Sequence, residues 1–94
     1  MILQLDDVKQ YLRVENDEED TLLTGLILQA QEAAEHYCRT TFTEDPPQTV
    51  RLAVLLMVSY YFEDRDQSNK TAYETMIRAF HTLLYPNRVP EAMF

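Results

Sequence analysis

The stretch Val50-Arg51-Leu52-Ala53-Val54-Leu55-Leu56-Met57-Val58-Ser59-Tyr60-Tyr61-Phe62 decides the fold. Apolar residues fall on nearly every side of it when it is wound as a helix, and a helix of that kind forms the buried centre of a bundle. Pro46 and Pro47 precede it. Pro47 suits the first helical turn, where its missing N–H costs nothing, so the spacing predicts a helix over 47–64. Val50, Val54 and Val58 would also suit a strand, but no second strand pattern is present to pair with it. The uncharged run 52–62 is about half of the roughly 20 residues that cross a bilayer, so no membrane span is expected.

Upstream, Leu5, Val8, Tyr11 and Leu12 recur at three- and four-residue steps, with Asp6 and Asp7 where acids favour a helix start. They predict a short helix over 5–13. An acidic break, Glu15-Asn16-Asp17-Glu18-Glu19-Asp20, separates it from a long stripe: Leu22, Leu23, Leu26, Ile27, Ala30, Ala33, Ala34 and Tyr37. Asp17 stands at the N-cap position of that second helix, with Asp20 at capping-box spacing. The helix is expected over 18–39, about 30 Å long. Downstream, residues 63–70 form a polar loop. Tyr73, Met76, Ile77, Phe80, Leu83 and Leu84 then mark a fourth helix over 71–84, which Pro86 ends. The segment 87–94, with two further apolar residues at its end and Pro90 within it, reads as an extended tail. The fold class is therefore all-α: one small four-helix domain over 1–94, with a central apolar helix and an extended C-terminal tail.

Composition narrows the function. The 94 residues contain one glycine, which excludes glycine-rich phosphate loops and disfavours folds built on tight hairpins. Sixteen acidic residues against eight basic ones give a net charge of −8. A tight polyanion ligand needs Lys and Arg to neutralise phosphates, so nucleic acid is not expected as one. The charge is also uneven. Residues 1–45 carry eleven acids and three bases, whereas residues 46–94 carry five of each. A domain with one acidic and one neutral half can dock directionally on different partners. Cys38 is the single cysteine, which excludes an intrachain disulfide and points to a reducing compartment. Residues 1–7 lack the basic and apolar regions of a signal peptide.

No constellation in the sequence reads as a reaction centre. His36 and Cys38, two residues apart on one helix, point about 200° from each other. Glu32 and His36 share a face and, with Glu35, could seed a carboxylate–imidazole metal site, but one such cluster is half of what a bundle metal site uses. The solvated-face reading is preferred. A calcium loop starting at Glu15 would place Asp20 where glycine is required and Leu26 where the bidentate glutamate belongs, so it fails. His81 has no acidic neighbour one turn away and reads as a surface or satisfied histidine. Tyr60-Tyr61-Phe62 lacks the interleaved basic residues of a stacking platform and reads as core packing. The expectation is no catalytic residue, no cofactor and no metal.

The ordered set Leu5-x-x-Val8-Lys9-x-Tyr11-Leu12-Arg13-Val14, then Asp17-x-x-Asp20-x-Leu22-Leu23-x-x-Leu26-Ile27-x-x-Ala30, is similar to the head–tail connector family of tailed bacteriophages and prophages. The likeness resumes in Val50-x-x-Ala53-Val54-Leu55-Leu56-Met57-Val58-x-Tyr60-Tyr61-Phe62-Glu63-Asp64-Arg65, and again in Leu83-Leu84-x-Pro86-x-Arg88-Val89. Two departures stand out. Residues 37–42 lack the glycine expected after the second helix, and residues 66–70 follow no family pattern.

The resemblance implies a structural, non-enzymatic protein at the head–tail junction of the virion, assembled in the host cytoplasm. Its partners would be itself, in a ring of about twelve copies closed by head-to-tail contacts, the portal protein above, and further connector or tail proteins below. DNA would be passing cargo in the channel, which the ring extends and helps to keep closed. Phe42, Tyr85, Val89, Met93 and Phe94 are the expected interface residues, because a four-helix core leaves such apolar groups over. From composition alone, the competing reading is a small acidic helical regulator, monomeric or dimeric, that binds one partner protein.

Overall fold

A computed structural model describes residues 2–42, 45–64 and 69–89. Among these the chain forms four α-helices and no strand: α1 (Leu5–Leu12), α2 (Asp20–Cys38), α3 (Gln48–Glu63) and α4 (Lys70–Leu84), followed by a 3-10 turn over Tyr85–Asn87. This is the expected all-α order. The helix ends differ from expectation in ways that have local causes.

α1 stops one residue early because Arg13 adopts the left-handed conformation (φ 60°, ψ 40°). The next amide, Val14 N–H, then turns back to the Lys9 carbonyl at 2.9 Å and satisfies one of the open carbonyls at the helix end. α2 ends in the same way. Arg39 sits at φ 61°, and the Thr40 N–H reaches the Glu35 carbonyl at 3.2 Å. The glycine absent from this position is thus replaced by an arginine held in a conformation that glycine would adopt more cheaply.

The start of α2 corrects the capping expectation. The helix begins at Asp20, Glu19 occupies the cap position, and no side-chain cap bond is made. The Asp17 carboxylate instead accepts from Lys9 Nζ at 2.8 Å, and the same ammonium lies 2.7 Å from Asp20 Oδ1. A charge-assisted bond of this kind is roughly twice as strong as a neutral one, so the lysine takes the carboxylate from the helix end. Lys9 thereby ties α1 to the acidic corner and to the first turn of α2.

α3 packs between α2 and α4, and α1 lies on α2. Val50, Ala53, Val54, Met57 and Val58 form its buried face. The helix is central but not covered on every side: Leu52 is 49% exposed, and Leu55 and Leu56 are only partly buried. From the neighbours, Leu23 and Ile27 of α2 and Phe80 and Leu84 of α4 meet α3 with essentially no exposure. Burying each such side chain contributes about 1.5–3 kcal/mol, and together these residues hold the bundle.

α4 starts one residue before the expected position because the Asn69 side chain caps it, accepting from the Ala72 N–H at 3.0 Å. Its C-terminal end also differs. Pro86 does not cut the helix off; it sits in the first turn of the 3-10 segment, where a proline is tolerated. Asn87, expected to begin the extended tail, closes that turn, and Arg88 is the first extended residue (φ −77°, ψ 132°). Residues 90–94 lie outside the described residues.

At the α3–α4 corner Tyr60 meets Tyr61 and Tyr73 edge-on, with ring centroids 5.1 and 5.9 Å away. Burial pushes the Tyr60 and Tyr61 phenols upward, and the nearby Asp64 carboxylate adds to the effect on Tyr60. These rings pack the corner, as their spacing predicted. No helix among the described residues is long and apolar enough to cross a membrane.

Candidate assembly surfaces

The C-terminal end of α2 is where the described chain ends are gathered. Two of its open carbonyls are taken by the segment that follows the 3-10 turn: Arg88 Nε donates to the Tyr37 carbonyl at 3.1 Å, and the Val89 N–H donates to the Cys38 carbonyl at 2.8 Å. The Arg88 guanidinium also lies 4.9 Å from the centre of the Tyr37 ring. A cation at a helix C-terminus complements the helix dipole, so one arginine serves backbone, dipole and ring together. Below it the Cys38 thiol is fully buried and directs its Sγ to the Leu84 carbonyl at 3.7 Å. Burial pushes that thiol upward, against the smaller opposite influence of Arg88.

This clamp fixes where the expected interface residues stand. Tyr85 is 66% exposed and Val89 44% exposed, both held at one end of the bundle by the bonds just described. Phe42 is half-buried, packs against the core, and donates its N–H to Glu35 Oε2 at 2.8 Å, so it is not the freely exposed group foreseen. Met93 and Phe94 lie outside the described residues. The structure brings Tyr85 and Val89 to the same junction and gives Phe42 a partly structural task.

Two hollows flank the junction. One, of about 480 Å³, has Ala33, Met57, Ile77 and Phe80 among its apolar lining and Glu32, His36 and His81 among its polar lining. The other, of about 380 Å³, is bounded by Tyr37, Arg78, His81, Thr82, Tyr85 and Pro86. The His81 ring stacks on Tyr37 and separates the two. This contact was not foreseen; nothing local in the sequence joins residues on different helices.

The chemistry available is that of packing. Glu35, which could have joined Glu32 and His36, is engaged by the Phe42 amide and by Gln31 Nε2 at 3.4 Å. Among the described residues no group of three His, Cys, Asp or Glu is placed to hold a metal ion. Apolar hollows and half-exposed aliphatic and aromatic side chains are surfaces for other protein surfaces.

Comparison with known proteins gives the same direction. Neither the curated proteins nor the solved structures contain a match. The family model described as phage gp6-like head-tail connector protein matches residues 2–87, which takes in all four helices and the whole junction up to Asn87. The chain therefore belongs to the phage gp6-like head–tail connector family, a family of structural proteins joining phage head and tail.

Proposed function

We propose that the protein forms a ring of copies beneath the portal vertex, extends the DNA channel, helps keep packaged DNA in, and offers a docking surface to further connector or tail proteins. Family membership over residues 2–87 is the observation that carries this reading. The count of about twelve copies follows the closed, head-to-tail symmetry proposed for the ring. Tyr85 and Val89, with Phe42 behind them and Met93 and Phe94 further along the chain, are the proposed interface residues.

The net charge of −8 supports the channel role. A wall that carries many carboxylates does not exchange counterions with phosphates, so DNA passes without being gripped. The test is co-sedimentation of the purified protein with capsids that carry the portal encoded with it. Saturable binding in a fixed ratio to portal is expected, weakened by deletion of residues 89–94. No binding to portal-bearing capsids above that to portal-free ones would overturn the reading.

A further inference from the structure

Two helical surfaces remain uncharged and uncovered, and they differ in what surrounds them. On α2, residues 21–31 carry no charge, in a half of the chain that otherwise holds eleven acids. Leu22 is 38% exposed there and Leu28 51% exposed. Gly25 stands between them, one turn from each, and a Cβ built on it would meet nothing within 4 Å. No packing inside the subunit asks for a glycine at this position, although a mid-helix glycine destabilises by roughly 0.5–1 kcal/mol relative to alanine. The outcome is a shallow notch walled by two leucines, with Asp20 before it and Glu32 after it. On α3, residues 52–62 are also uncharged, and Leu52 projects outward with Leu55 and Leu56 partly exposed on either side. This second face begins at Arg51 and ends at Glu63.

We infer that the α2 notch of one copy receives the Leu52 face of α3 from a second copy. The inference rests on the ring reading and identifies its contact. Charge selects the pairing. Two α2 faces laid against each other would set Asp20 and Glu32 of one copy beside the same acids of the other, a like-charge arrangement that suppresses the contact. The α3 face presents no acid along its uncharged run and brings Arg51 to one end, so it meets the acid-flanked notch without repulsion. A contact between different faces of identical copies leaves one notch and one ridge open on every assembly, and so it propagates until it closes.

The test uses two exposed-site variants of the full chain, Leu28→Glu and Leu52→Glu, compared with wild type by native mass spectrometry and by co-sedimentation with portal-bearing capsids. Thermal unfolding of each variant checks that the fold is intact, as expected for outward-facing positions. Each variant alone should lose self-association by about tenfold or more, because a charge is placed in the centre of the contact. Mixed together, they should give a one-to-one dimer and nothing larger, since the mixture retains one intact notch and one intact ridge. Wild-type assembly with both variants unaffected overturns the inference and leaves the ring reading standing. Loss in Leu52→Glu alone shows that α3 pairs with itself and also overturns it. A wild type that assembles neither in solution nor on capsids removes the ring reading, and this contact with it.

Discussion

The imidazole of His81 lies on the phenol of Tyr37, with ring centroids 4.4 Å apart and planes inclined by 18°. The stack joins α4 to the last turn of α2, and Arg88 lies against the same Tyr37 ring. One aromatic residue thus connects the last helix, the end of the second and the segment that leaves the bundle. Removing it should loosen all three. Tyr37→Ala is expected to destabilise the protein by about 1–2 kcal/mol, from a lost aromatic pair plus partly buried area. His81→Ala should cost about 0.5–1 kcal/mol, because only the stack is lost. Urea unfolding measures both, and equal losses in the two variants would contradict the central place given to Tyr37.

The pair of Lys9 with Asp17 sets a pH window. The hydrogen bond from Lys9 holds the Asp17 carboxyl below its ordinary value of 3.8, and the bonds to Asp17 and Asp20 hold the Lys9 ammonium above its ordinary 10.5. A depressed carboxyl contributes stability above its unfolded value and loses it as pH falls through the folded one. A raised lysine contributes below its unfolded value and loses it as pH rises through the folded one. The melting-temperature difference between wild type and Asp17→Asn should therefore stay level across neutral pH and shrink toward zero in acid. Added salt should narrow it, since Asp17 is exposed. A difference that persists at pH 2 would rule out the ion pair as its source.

Arg13 and Gly25 have exchanged the residues their backbones favour. Arg13 holds a left-handed conformation at the end of α1, which costs a residue with a Cβ about 1–2 kcal/mol. Gly25 lies mid-helix in open space. Arg13→Gly should stabilise by about 0.5–1 kcal/mol after the added freedom of the unfolded chain is offset. Gly25→Ala should stabilise by about 1 kcal/mol, which raises the melting temperature by roughly 4–8 °C in a domain of this size. Gly25→Ala that leaves the melting temperature unchanged would show that the helix is strained there in a way the backbone does not reveal.

Most of the helical plan was legible because it rests on periodicity. The Leu23–Ile27–Ala30–Ala34 stripe and the Met76–Phe80–Leu84 stripe place the core faces of α2 and α4 without further help. The helix ends were less legible, because side chains there choose among partners. Asp17 had the right spacing for a cap and went to Lys9 instead, a residue eight positions back. Asn69 was a readable cap three residues before Ala72 and was passed over inside a polar loop. The junction was not legible at all. Tyr37 with His81, Arg88 with the Tyr37 carbonyl, and Val89 with Cys38 are contacts between residues more than forty positions apart. Only the fold brings them together.

The bond from Val89 to Cys38 can be followed through the thiol beneath it. The Val89 N–H is the donor, so Val89→Pro removes it while keeping an extended backbone that Arg88, at ψ 132°, already allows. Losing one such bond costs about 1 kcal/mol, so the segment should open roughly fivefold more often. Cys38 is fully buried, and reagents reach it only through such openings. Its thiol is also held above the ordinary value by burial, which keeps the reactive thiolate scarce in the closed state. Labelling of Cys38 by a thiol reagent at neutral pH should therefore speed up several-fold in Val89→Pro, with global stability nearly unchanged. Equal labelling rates would mean that the thiol is reached by another route and that the Val89 bond does not guard the end of α2.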